Sequence, residues 1–258
     1  MTPTKTLFLA WQDYRSRSWF PVGRLTFDGE VYSFVYIKGV KEAQQKCGFE
    51  PLMSFPEWDR VYRSTELFAV FANRVMPHSR PDYHNFLSRF NLSAQNLDLM
   101  EFLGRTEGER QTDNFKVFPC PQPNHDQQYR IVFLAHGLQY LPKYSVQRME
   151  QLEVGDPLWL AHDFHNSYDN KALTLNTVDH HILGYCPRYL VENVFDILMR
   201  DPKLVEVTVA KVNLPPAPIK SRLLCEMTYS AFEGYVPFGQ KQYQPLVEDQ
   251  EICLSMAS

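Results

Sequence analysis

The stretch Asn166-Ser167-Tyr168-Asp169-Asn170 sets an aromatic ring beside a carboxylate among small polar residues. Asn, Ser and Asp clusters make tight turns by bonding their side chains to nearby backbone N–H groups, which accounts for Asp169 but not for the tyrosine. A tyrosine in a polar turn offers a π face for stacking, and a carboxylate accepts a proton from a hydroxyl. A second group with chemistry in reach is His162, Asp163, His165, Asp179, His180 and His181. Imidazole and carboxylate ligands suit a divalent metal, so the competing reading is a metal-dependent nuclease or hydrolase using His162, Asp163, Asp169 and His180. A strand would, however, put His162 and His165 on opposite faces, and no His-x-x-x-His helical spacing occurs. Solvated histidines at loop edges are therefore the expectation, with no metal and no cofactor.

Other catalytic patterns are missing. The chain has no G-x-x-x-x-G-K-S/T loop, no glycine-rich kinase loop, no HRD or DFG element and no G-x-S-x-G nucleophile elbow. The expectation is a binding protein and not an enzyme. Trp11, Tyr14, Trp19 and Phe20 around Arg15 and Arg17 read as core aromatics with solvated arginines, a nucleic-acid stacking surface being the alternative. Trp58, flanked by Pro56, Glu57, Asp59 and Arg60, is a candidate protein-interface anchor, with a tryptophan folded back over neighbouring helices as the alternative.

Composition sets the frame. With 258 residues, 44% of them hydrophobic and 22% charged, the chain can bury a full core and has room for two domains. No apolar run approaches the ~20 residues needed to cross a bilayer, and the short apolar stretch in MTPTKTLFLAWQD is unlike a signal peptide, so a cytoplasmic protein is expected. Cys47, Cys120, Cys186, Cys225 and Cys253 are scattered and never form C-x-x-C, which argues for reduced thiols. The net charge of −4 argues against coating long duplex DNA, because each phosphate contact calls on Lys or Arg. A small nucleic-acid footprint is compatible with it. Residues 1–120 carry 15 Lys+Arg against 14 Asp+Glu, and residues 121–258 carry 11 against 16.

The elements that must position these groups are readable from periodicity. Prolines 119, 121 and 123 and the polar run to Gln128 form a linker (119–128) between two domains. Before it, strands are expected at 7–11, 19–27 and 31–37, with Asp28-Gly29 as a hairpin turn, followed by helices around 67–75, 83–90 and 97–103, the last with Ser93 as a capping candidate. This is an α+β arrangement. After it, strands are expected at 129–138, 157–164, 171–177, 181–186, 204–212 and 222–229, broken by one helix from about Pro187 to Met199. Short strands with a single helix suggest a mainly-β, partly closed barrel. Residues 230–258 form a tail, with Tyr235, Phe238 and Tyr243 draping over the barrel or docking a partner.

Two resemblances rest on ordered motifs. Gly155-Asp156-Pro157-Leu158-Trp159-Leu160, then Asn166-Ser167-Tyr168-Asp169-Asn170-Lys171-Ala172, then Gly184-Tyr185-Cys186-Pro187-Arg188 resemble the three signatures of the HIRAN domain, over residues 129–229. That resemblance implies an OB-like barrel that holds the 3′ end of single-stranded DNA. It further implies that Tyr168 and Tyr140 stack on bases, that Asp169 accepts the terminal 3′-hydroxyl, and that Arg188 and Lys171 meet phosphate. Gln139 stands where a family member that grips such ends has arginine.

Residues 1–118 resemble the N-terminal subdomain of HipA-type toxin kinases, which also occurs alone as the HipS antitoxin. The residues are Val22-Gly23-Arg24-Leu25, Ser33-Phe34-Val35-Tyr36, Pro51-Leu52-Met53-Ser54-Phe55-Pro56 and the run from Leu67 to Pro77, in which Arg74 and Met76 replace apolar residues. This resemblance implies an α+β domain that binds a HipA-type Ser/Thr kinase, and no kinase activity in the chain itself. A module serving protein assembly alone is the further alternative.

Overall fold

The computed structural model describes residues 4–247, so Cys253 lies outside the described residues. In chain order the first elements are β1 (Lys5–Gln12), β2 (Trp19–Phe27), β3 (Tyr32–Tyr36), α1 (Gly39–Cys47), β4 (Tyr62–Ser64), α2 (Ala69–Ala72), α3 (Tyr83–Arg89), α4 (Leu99–Thr106) and β5 (Phe115–Pro119). There follow β6 (Gln128–Leu134), α5 (Lys143–Met149), β7 (Pro157–His162), β8 (Leu173–Asn176), β9 (Ile182–Tyr185), α6 (Arg188–Arg200), β10 (Val205–Val212) and β11 (Leu223–Ser230). Contacts divide the described residues into two units that are discontinuous in sequence: residues 4–77, 98–120 and 238–247, and residues 78–97 and 121–237.

The first unit is built on an antiparallel sheet in the order β4-β3-β2-β1-β5. The β2–β3 connection forms because Asp28 Oδ1 accepts the N–H groups of Glu30 and Val31, both at 2.8 Å, while Gly29 takes a φ of 110°. Leu7, Leu9, Val22, Leu25, Phe34 and Tyr36 bury one face. Phe34 stacks on Phe55 at 3.9 Å, and the Tyr36 hydroxyl donates to the Phe55 carbonyl (2.8 Å) while accepting the Leu52 N–H (2.7 Å). Burial pushes the Tyr36 phenol up to about 12. At the start of α4, Asp98 and not Ser93 is the cap: its side chain accepts the N–H groups of Met100 and Glu101 and pairs with Lys5. Phe238 and Tyr243 pack on Phe8.

The second unit is a curled antiparallel sheet in the order β6-β11-β10-β7-β8-β9. Its inward residues, among them Ile131, Phe133, Leu158, Leu175, Leu183, Val207, Val209, Cys225 and Met227, form one core with Leu190, Val191, Val194 and Ile197 of α6. The two edge strands meet just beyond β6. The His136 N–H donates to the Tyr185 carbonyl and the Tyr185 N–H to the His136 carbonyl, both at 2.9 Å. This closure requires glycine at 184, because φ there is 131° and a Cβ would sit 2.6 Å from the His136 carbonyl oxygen. A bulge in β10 between Val209 and Lys211 leaves the Ala210 carbonyl to accept from Asn91 Nδ2 at 3.2 Å, and Lys211 Nζ donates to the Ser88 carbonyl at 2.5 Å. Residues after β11 continue this packing: the Tyr235 ring meets Tyr129 and Tyr229, and its hydroxyl donates to the Asn193 carbonyl at 2.9 Å.

Candidate nucleic-acid interface

The polar turn between β7 and β8 is held from its own side chains upward. Asn166 Oδ1 accepts the N–H groups of Tyr168 and Asp169, both at 3.0 Å, and this Asx geometry fixes the backbone beneath the tyrosine. Asn166 Nδ2 donates to Asp163 Oδ2 at 3.2 Å, and the same oxygen accepts the Tyr185 hydroxyl at 3.1 Å. Asp163 is thus the hub of the loop. Its carboxyl is held below the usual range first by the Asn166 amide, with help from the Tyr185 hydroxyl and the His165 N–H. Tyr185 therefore closes the barrel with its backbone and anchors the turn with its ring.

With the backbone fixed, Tyr168 points away from the core and is 90% exposed. Asp169 does the reverse. Its side chain is only 17% accessible, Oδ1 accepts the Lys171 N–H at 3.0 Å, and Oδ2 lies 3.2 Å from Arg188 Nε. Arg188 is the first residue of α6, after Pro187 at the cap, so two separate chain segments converge on one ion pair. The Arg188 guanidinium is half exposed. Lys171 Nζ lies over the Phe195 ring, 5.7 Å from its centroid.

Tyr140 comes from a different segment. It ends a single turn, Leu138–Tyr140, that starts at Gly137 with a φ of 76°, and its side chain is 83% exposed. Gly137 is set against the Tyr185 ring, where a Cβ would lie 3.0 Å from Cδ2. Tyr185 thereby connects both tyrosine-bearing loops. The five residues singled out for nucleic acid divide into two protruding rings (Tyr140, Tyr168), one bound ion pair (Asp169, Arg188) and Lys171 on an aromatic face. Asp163, Asn166 and Tyr185, which hold this arrangement, were not assigned that role from sequence, although the Asn166-x-x-Asp169 spacing is itself an Asx-turn signal.

The histidine and aspartate cluster separates in space. His162 Nε2–H donates to the Asn170 carbonyl at 2.7 Å. Asp179 is bound by Arg148 Nε at 2.9 Å and lies 3.2 Å from His181 Nδ1, and the arginine holds its carboxyl far below the ordinary range. His180 sits edge-on to Trp159. Among the described residues no group of three or more His, Cys, Asp or Glu side chains is placed to hold a metal ion. Trp58, in the first unit, is half-buried, with its ring against Tyr36 at 4.5 Å and Phe49 at 6.0 Å. Trp11 is half-buried against Phe20 and Phe49, and Phe20 is core, whereas Tyr14 of the same group is exposed and not core.

Residues 128–239 match the family model of the HIRAN domain, a family associated with nucleic-acid binding. Two solved structures are similar over part of the chain. One is a protein from Lactobacillus plantarum, 22% identical, with a TM-score of 0.31, covering 40% of this chain and 96% of that one. The other is the HIRAN domain of human HLTF, 21% identical, with a TM-score of 0.28, covering 40% of this chain and 74% of that one. No curated protein matches the chain. The HIRAN family match covers no part of residues 1–118. Among the described residues no helix is long and apolar enough to cross a membrane.

Proposed function

We propose that the second unit holds single-stranded nucleic acid by its 3′ end. Tyr168 and Tyr140 stack on bases, Asp169 accepts the terminal 3′-hydroxyl, and Arg188 with Lys171 meets phosphate. The observation that carries this reading is the contrast within one turn: Tyr168 is driven into solvent while the adjacent Asp169 is held inward on Arg188. A turn built only for its own stability needs the carboxylate and has no use for the ring. Stacking contributes about 1–3 kcal/mol per base without reading its identity, so a domain with few cations can bind an end with few phosphate contacts. The chain acts here as a binding protein, without catalysis. Linear and circular single strands of one sequence, compared by fluorescence anisotropy, test the reading. The linear strand is expected to bind, and equal affinity for the circle would overturn end recognition.

We further infer, from the resemblance of residues 1–118 to HipS-type antitoxins, that the first unit engages a HipA-type kinase. The Pro51–Pro56 loop supports this: Phe55 is fully buried and anchors it, while Met53 stands wholly in solvent. An exposed, adaptable thioether is a common element of binding surfaces. Co-expression of the full chain with such a kinase is expected to yield a complex, and Met53→Glu is expected to weaken it. Failure to co-purify would remove the antitoxin reading.

A further inference from the structure

Phe164, beside the polar turn, has no role in gripping a 3′ terminus. It is 81% exposed, yet its ring is not loose: it lies against the His162 ring with centroids 4.1 Å apart. His162 is itself fixed. Its Nε2–H is bound to the Asn170 carbonyl at 2.7 Å, and its ring meets Phe195 of α6 edge-on at 5.6 Å. The other side of this row is the cation of Lys171 over Phe195. Phe164, His162 and Phe195 thus form a continuous aromatic ridge, begun in the same loop as Tyr168 and ended under a lysine.

Resting on 3′-end binding by this unit, we propose that the ridge is a second nucleotide subsite, taking a base upstream of the terminus on the Phe164 ring, with Lys171 on the adjoining phosphate. Packing does not call for Phe164, because most of its surface stays in water. Its support is nevertheless ordered, so the ring is presented with little motion to lose on binding a flat ligand. The pairing of a sequence-indifferent π face with one cation is the chemistry of single-strand tracks. The surface is also continuous with the end-holding turn: the Lys171 N–H donates to Asp169, and the Asn170 carbonyl accepts from His162. A strand whose terminus sits at Asp169 has this ridge beside it.

The test is affinity against length for 3′-hydroxyl oligonucleotides of two to eight nucleotides, measured on the full chain. Wild-type affinity is expected to rise in a step once the strand is long enough to reach the ridge. In Phe164→Ala that step is lost, with affinity for the longer strands falling about 5- to 100-fold, the size of one stacked base, while the dinucleotide is unaffected. Phe164→Trp restores the step. Removal of an exposed ring empties no core, and circular dichroism on each variant verifies the fold. An equal loss at every length, or no loss at any, overturns the ridge while leaving end recognition standing. No binding of any oligonucleotide by wild type overturns both.

Discussion

The carboxylate of Asp169 and the guanidinium of Arg188 lie 3.2 Å apart, joining a polar turn to the first residue of α6. The pair does two things. It adds the Arg188 guanidinium to a carboxylate whose other oxygen already accepts the Lys171 N–H, and on the proposed reading it holds a cation beside the last phosphodiester of a bound strand. Arg188 alone, at a helix start, would be a generic anion contact. Linked to Asp169, it is on the proposed reading positioned relative to a terminal hydroxyl.

Replacing Arg188 with alanine is therefore expected to have two effects. The slope of log affinity against log salt concentration should fall by roughly 0.7, the share of one phosphate contact on a single strand. The preference for a hydroxyl terminus should also weaken, because Asp169 loses one of its two partners. An unchanged salt slope would show that Arg188 serves only the turn.

Tyr168→Ala and Tyr140→Ala should each weaken single-strand binding by about 1–3 kcal/mol without altering the denaturation midpoint, since neither ring is in the core. Anisotropy titrations alongside urea unfolding separate the two effects. A variant that unfolds earlier but binds normally would assign that ring to packing.

Gly184→Ala tests the closure of the barrel. The new methyl would meet the His136 carbonyl oxygen at 2.6 Å from a backbone with a φ of 131°, so a loss of at least about 2 kcal/mol in unfolding free energy is expected. Binding should fall with it, because Tyr185 carries both the closing hydrogen bonds and the ring that anchors Asp163. Stability equal to wild type would mean that the edges do not need to meet.

Burial raises the thiols of Cys186 and Cys225 far above the ordinary value and that of Cys120 to about 12. Thiolate is the reactive form, so iodoacetamide at neutral pH should leave Cys186 and Cys225 unlabelled in the native protein and label both in urea. Mass spectrometry of the peptides gives the answer. Native-state labelling at Cys225 would contradict the packed core.

All six barrel strands and α6 were legible in the sequence because each is short, rich in β-branched and aromatic residues, and bounded by turn residues. The first sheet was legible in part: β1, β2, β3 and their hairpin turn, but not β4 or β5. The helix α1 was missed because only Gly39, Val40 and Ala43 are buried in it, leaving almost no apolar stripe to detect. The apolar run at 67–75 yields only the four-residue α2, since the buried Arg74 guanidinium turns inward to the carbonyls of Val70 and Gly108 and to Asp113. The candidate site divides in the same way. Tyr168 and Asp169 were visible as local chemistry, whereas the Asp169–Arg188 pair and the Tyr185–Asp163 bond join residues 19 and 22 positions apart and exist only once the strands are registered. The same nonlocality hid the meeting of His136 with Tyr185.

Acid should release the turn. Asp163 has its carboxyl lowered by bonds from Asn166 and Tyr185, so its contribution is present above the ordinary carboxylate value of 3.8 and is lost as pH falls through the lower native value. Asp163→Asn should remove that acid sensitivity, read by the fluorescence of a base analogue bound beside Tyr168. An identical acid profile for the variant would place the sensitivity elsewhere.

The central claim is that Asp169 reads a terminal hydroxyl, and its most direct measurement compares one oligonucleotide ending in a 3′-hydroxyl with the same oligonucleotide ending in a 3′-phosphate. A hydroxyl donates to the carboxylate, whereas a phosphate dianion presents only acceptors and adds like charge, which Arg188 offsets in part. The hydroxyl end should bind more tightly by about 1.5–3 kcal/mol, the range for a hydrogen bond to a charged group, and Asp169→Ala should abolish the difference. Equal binding of the two ends by the wild-type protein would contradict the account, even with Tyr168 still contributing to affinity.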